Sequence, residues 1–244
     1  MQFSTNREIK NKVRKIYAGK WIDAIKLNII PILLNISSFL IVGISSIFAI
    51  ITFRYNQISN QVSGSYNIND GLQTSSNFLF NALLMFIIVS IQYGTLDWLR
   101  KNKIPNMKTS VQTFSRKYFT STLAIFIFQF IFNTLWYLVL IVPGIVKYYS
   151  YSQAYMIYKD AENRGISQKF EFVNFITFSR RLMDGNKLRL FVLQISMLGW
   201  LILSILSLGI GFIWYIPYKN GVYTEFYNDL VSKNGKDVLP EIFA

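Results

Sequence analysis

The chain has 244 residues, of which 52% are hydrophobic and 17% aromatic, while 15% are charged, against about a quarter in an ordinary soluble domain. It contains no cysteine and no histidine, which excludes disulfides, thiolate nucleophiles, Cys/His zinc sites, His-ligated haem or iron and every triad built on imidazole. The net charge is +13, and its distribution argues for topogenic flanks of membrane spans rather than a nucleic-acid surface, so no nucleic-acid partner is expected.

In chain order, residues 5–17 begin with a capping-box pattern, Thr5-x-x-Glu8, followed by Ile9, Val13 and Ile16 at helical spacing. Arg7, Lys10, Arg14 and Lys15 occupy the other faces. Such a segment is expected to lie in the headgroup plane, each basic residue near an anionic surface contributing about 1 kcal/mol. A second segment of this type is 167–183, SQKFEFVNFITFSRRLM. Arg14, Lys15, Arg116, Lys117, Arg180 and Arg181 are the expected contacts to anionic headgroups.

Four runs carry no Asp, Glu, Lys or Arg: 27–53, 71–96, 118–146 and 190–218. Each exceeds the roughly 20 apolar residues that cross the hydrocarbon core. The basic head and the long first run do not fit a cleaved secretory signal, so the first span is expected to remain as an anchor. Four spans with the N-terminus inside would leave nine basic residues outside, whereas reversals near Pro143-Gly144 and Gly209-Ile-Gly211 leave only Arg54 and Lys147 there, against 23 inside. The positive-inside rule favours the second layout. It predicts an all-α, polytopic membrane bundle of six helices at about 24–53, 77–99, 119–142, 145–163, 188–208 and 212–232, with both termini cytoplasmic. Pro143, Gly144, Gly209 and Gly211 are the expected outer turn residues. A polar outer loop is expected at 54–76, with Ser75-Ser76-Asn77 capping the second helix.

The approaches to the first, third and fifth helices resemble one another: RKIYAGK at 14–20, RKYFTST at 116–122 and RRLMDGN at 180–186. TFSRK at 113–117 recurs as TFSRR at 177–181. This spacing predicts a single membrane domain of three parallel two-helix repeats, about 7–99, 107–163 and 167–232.

The second, fourth and sixth helices carry a polar seam: Gln92, Tyr93 and Asp97; Lys147, Ser150, Gln153 and Tyr155; Lys219, Asn220 and Glu225. Polar groups at bilayer depth turn inward, pair or snorkel. Lys147, close to the outer turn, is expected to reach the outer headgroups, and Asp97 and Glu225 to be solvated at the inner boundary. The competing reading places Lys147 at the mouth of a partly wet axis between these three helices. Ser150 and Ala154, four apart, suit close helix packing. The acidic residues are scattered, and no phosphate-cradling loop or metal-ligand spacing appears, so neither an enzyme nor a cofactor or metal is expected.

The stretches REIKNKVRKIYAGKW, IVPGIVKYYSYSQAYMIYKD and SRRLMDGNKLRLFVL, the last continuing to GWLILSILSLGIGFIWYIPY, resemble a bacterial family of integral membrane proteins, the domain of unknown function nine-seven-five. The resemblance runs from about residue 7 to 230, and SQAYMIY is more polar than its pattern. It implies a multi-pass protein of the bacterial plasma membrane without assigned catalytic residues, with some members near peptide bacteriocins. The expected role is therefore non-enzymatic self-protection against, or binding of, a membrane-active peptide; the alternative is a component moving a small solute or lipid. The expected partners are anionic lipid headgroups, with a membrane-active peptide or another membrane protein as the specific ligand.

Overall fold

A computed structural model describes residues 3–59 and 70–243, and among them every regular element is helical. The chain opens with α1 (Asn6–Tyr17), whose capping box forms as its sequence requires: the Thr5 N–H donates to Glu8 Oε2 at 2.6 Å and the Glu8 N–H to Thr5 Oγ1 at 3.3 Å. α2 (Trp21–Leu27) ends at Asn28, whose side chain donates to the Ala24 carbonyl at 2.9 Å and interrupts the expected first helix. α3 (Ile29–Ser59) and α4 (Asp70–Lys101) follow. The expected outer loop is thus helical at both ends, and its centre, 60–69, lies outside the described residues. Ser75-Ser76-Asn77 fall inside α4 rather than at its start.

After a 3-10 helix at Met107–Phe114 come α5 (Phe119–Val139), α6 (Ile141–Tyr151) and α7 (Ala154–Asn163). The remainder is α8 (Phe172–Leu182), α9 (Lys187–Ile195), α10 (Leu198–Leu206), α11 (Phe212–Val238) and α12 (Pro240–Phe243). Four stretches of the described residues are long and apolar enough to cross a membrane: 29–54, 80–101, 119–139 and 187–206. The other two expected helices are present but more polar: α6 and α7 break at Ser152-Gln153, and α11 carries Lys219 and Glu225.

The first reversal differs in detail from the expectation. It falls at Leu140, which is extended (φ −160°, ψ 143°), and α6 folds back along α5 from there. Pro143 sits in the first turn of α6, where its missing N–H costs no intrahelical bond. Gly144 is a packing residue: a Cβ there would lie 2.5 Å from Tyr137 Cδ1. The second reversal falls where expected. Leu208 (φ 54°) and Gly209 (φ 89°) are left-handed, and a Cβ on Gly211 would meet the Ser204 Cα at 2.6 Å. Glycine meets the first of these demands at Gly209 without strain.

Burial is uneven along the bundle. The large buried side chains, among them Tyr17, Leu96, Trp98, Ile157, Phe175, Phe226 and Leu230, gather at the end holding the charged residues. The opposite half is apolar and exposed, with Phe48, Leu138, Val142, Leu206 and Leu208 each at least 70% accessible. That distribution suits a bundle whose second half is covered by hydrocarbon rather than protein.

The amphipathic segments lay their apolar faces on protein. Ile9, Val13 and Tyr17 of α1 are fully covered, packed on α11, and Phe175, Ile176, Phe178 and Leu182 of α8 are buried against α5 and α7. The 3-10 helix packs on α4 in the same manner. Two glycines permit the close approach: a Cβ on Gly221 would lie 2.7 Å from Tyr17 Oη, and one on Gly94 2.5 Å from Thr109 Cγ2. Each segment also donates a hydrogen bond to a carbonyl of the helix beneath it: Tyr17 to Pro217 at 3.5 Å, Gln112 to Ser90 at 2.8 Å and Ser179 to Ser150 at 2.7 Å.

Candidate functional site

A cavity of about 650 Å³ opens between α4, α5, α6, α7, α9 and α11, within the 300–1,000 Å³ range of small-ligand sites. Its wall is largely apolar, including Met85, Ile88, Val89 and Met156. Set into it are six amide side chains, Asn81, Gln92, Gln129, Asn133, Gln153 and Gln194, and a set of tyrosines that includes Tyr148, Tyr155 and Tyr223. Among the described residues, none that lines it is charged.

Three of the amides are held in place individually. Gln129 Nε2 donates to the Tyr151 carbonyl at 2.7 Å, Gln153 Nε2 to Ser152 Oγ at 2.8 Å, and Gln194 Oε1 accepts from the Tyr149 hydroxyl at 2.6 Å. The helix break at Ser152-Gln153 makes this possible. There the Ser179 hydroxyl donates to the Ser150 carbonyl and accepts from the Gln153 N–H at 3.1 Å, so α8 stabilises the interrupted turn. Two buried polar atoms on lining residues, Asn133 Oδ1 and Tyr155 Oη, have no hydrogen-bond partner among the described residues.

Of the seam read from the sequence, only Gln92, Gln153 and Tyr155 line the cavity. Tyr93 is buried and donates to the Tyr155 carbonyl at 3.1 Å, and Ser150 donates to Val146 at 2.9 Å. Asn220 donates to Asn28 Oδ1 at 2.7 Å, joining α11 to the break after α2. Lys219 lies about 6 Å from the rings of Tyr215 and Tyr223. Lys147 is not among the residues that line the cavity; its ammonium sits 4.4 Å from the centre of the Trp136 ring, a cation–π contact. Gln129, Asn133 and Gln194 are functional candidates that the seam missed. A signal is present, since Gln129 and Asn133, four apart, are the two amides of the charge-free run 118–146, and Gln194 is the one amide of the run 190–218.

The charged residues form a separate layer at the end of the bundle. Asp160, 3% exposed, accepts from Arg100 Nη1 at 2.5 Å and Nη2 at 3.1 Å and from the Tyr227 hydroxyl at 2.6 Å. Lys159 is 3.5 Å from Asp97, and Lys12 is 2.6 Å from Glu225. Asp97 and Glu225 are therefore paired, and Glu225 is buried rather than solvated as expected. Arg189 binds Asp229, which also accepts from the Ser4 hydroxyl at 2.6 Å. Buried charges tolerate such a site only when paired and hydrogen-bonded. The expected lipid contacts divide accordingly: Arg181 pairs with Glu241 at 2.7 Å, Lys117 with Glu162 at 3.4 Å, and Arg14 lies over the Trp200 and Tyr218 rings at 5.9 and 5.5 Å. Lys15, Arg116 and Arg180 are exposed.

No curated protein and no solved structure matches the chain. Residues 137–234, from the end of α5 through most of α11, match the family model described as protein of unknown function (DUF975), the family its motifs resembled, over a shorter stretch than that resemblance.

Proposed function

We propose that the chain is a non-enzymatic, six-span protein of the bacterial plasma membrane, with both termini in the cytoplasm, and that it protects its host by binding a membrane-active peptide. The observation that carries the binding role is the cavity of about 650 Å³, an apolar wall set with amides and tyrosines and with no charge among its described lining residues. Acid–base chemistry needs titratable groups in reach of the ligand; the described lining offers tyrosines but no carboxylate, and Asp97, Asp160, Glu225 and Asp229 are engaged with basic residues in the layer below.

Three two-helix units account for the packing. The first unit returns through α4, the second through α6 and α7, and the third through α11. Each amphipathic segment covers the returning helix of the unit before it, and α1 covers the last, so the arrangement closes on itself. The carbonyls that receive the three segment hydrogen bonds are at 90, 150 and 217, separated by 60 and 67 residues. The small residues Gly94, Ala154 and Gly221 stand at the same intervals, as do Arg100, Asp160 and Tyr227, which bind one another. Three sets that share the intervals of 60 and 67 residues support triplication of a single ancestral hairpin.

The protective role is tested by expressing the chain in a strain sensitive to membrane-active peptides. Raised tolerance to at least one member of a peptide panel is the expected outcome, and unchanged tolerance across the panel, with the protein present in the membrane, counts against it. The same cavity also suits a carrier of a neutral solute or lipid. Liposomes containing the purified protein separate the two roles, because a carrier moves solute or lipid between compartments and a binder does not.

A further inference from the structure

We infer that the cavity recognises an uncharged, apolar peptide segment by its backbone amides, an inference that rests on the binding role proposed above. Gln129 and Gln153 each commit an NH₂ group to the protein, which leaves their carbonyl oxygens as acceptors. Gln194 commits its carbonyl oxygen, which leaves its NH₂ group as a donor. Gln92 forms no side-chain hydrogen bond with the described residues and offers both. The lining thus presents fixed donors and acceptors without net charge, which is the complement of a peptide chain carrying one N–H and one C=O per residue.

Other ligand chemistries fit less well. An ion, a zwitterionic amino acid or a phosphate headgroup entering a low-dielectric cavity needs a counter-charge, and no charged residue lines this one. A sugar needs a wall of hydrogen-bonding groups, whereas most of this wall is apolar. Met85, Ile88, Val89 and Met156 instead offer surface to aliphatic side chains, while the amides engage the backbone between them. Asn133 Oδ1 and Tyr155 Oη support occupancy, because each is buried on a lining residue without a protein partner. Such orphaned groups are costly to leave unpaired, and a ligand that reorders the lining relieves that cost.

The test uses the full-length protein in nanodiscs and a tritium-labelled capped tripeptide, acetyl-trileucine amide. Saturable binding is expected, with free zwitterionic trileucine competing at least about tenfold less well. A variant carrying Gln92→Leu and Gln194→Leu loses two hydrogen-bonding partners and is expected to bind at least about tenfold more weakly. Its thermal transition, recorded alongside, confirms that it folds, and Gln194→Leu alone serves if the double variant does not. Absence of saturable binding by the folded wild-type protein overturns the inference. So does equal binding by the folded variant, or displacement of the probe by a neutral disaccharide. Peptide tolerance in cells without probe binding removes this inference and leaves the protective role; probe binding without tolerance removes that role and leaves the site.

Discussion

Replacing Asp160 by Asn removes one charge from the layer where three helices meet while keeping the side-chain volume. In the wild-type chain the carboxylate is 3% exposed and holds both terminal nitrogens of Arg100 together with the Tyr227 hydroxyl. The variant leaves the Arg100 guanidinium without its counter-ion, 5.8 Å from the centre of the Tyr227 ring. Removing one partner of a fully buried pair costs about 3–5 kcal/mol. Arg100 retains 29% side-chain exposure and recovers part of that from water, so the expected loss is about 2–3 kcal/mol. At roughly 2–4 °C per kcal/mol for a chain of this size, the Tm falls by about 4–12 °C. Thermal unfolding of the purified protein in detergent, followed by tryptophan fluorescence, reads that shift. Combining Asp160→Leu with Arg100→Met removes both charges and is expected to recover part of the loss. A transition for Asp160→Asn within about 1 °C of the wild type refutes the reasoning.

Gly211→Ala brings a Cβ against the Ser204 backbone at 2.6 Å and is expected to destabilise the protein by about 1–3 kcal/mol, measured in the same unfolding assay. The Glu8 carboxyl is held below its ordinary range by the Thr5 backbone N–H and then by the Thr5 hydroxyl. Because the folded value is the lower one, its capping contribution is present above the usual carboxylate range and lost as the pH falls through the depressed value. Hydrogen exchange across residues 5–10 should therefore quicken, relative to the intrinsic rate, on acidification below that range, and Glu8→Gln should abolish this dependence.

Much of the fold is legible because the bilayer separates charge from apolar sequence so sharply. The sorting of Lys and Arg locates both reversals to within a few residues, and Thr5-x-x-Glu8 announces its own capping box. Pro143-Gly144 misplaces the first turn because proline suits the opening turn of a helix as well as a bend, and Leu140 has no turn-forming signature. For the amphipathic segments, periodicity shows that a face is covered without showing by what. The glycines that bring them onto protein, Gly94 and Gly221, reveal their purpose only when Thr109 and Tyr17 are seen against them. The candidate site was half visible. Gln92, Gln153 and Tyr155 were marked, but Gln129, Asn133 and Gln194 lie on helices outside the expected seam. The pairing of Asp160 with Arg100 joins residues 60 apart in sequence, and no local pattern selects that partner over the other basic residues nearby.

The account turns on the chain reversing at Leu140 and again at Ser207–Gly211, so that residues 167–183 share a side with both termini. The sequence contains no cysteine, so single-cysteine variants can be labelled without background. Lys169 and Leu140 are both exposed. In intact cells a membrane-impermeant maleimide should label Leu140→Cys and should reach Lys169→Cys only after lysis. Labelling of Lys169→Cys from outside intact cells would contradict the six-span layout and, with it, the three-unit arrangement around the cavity.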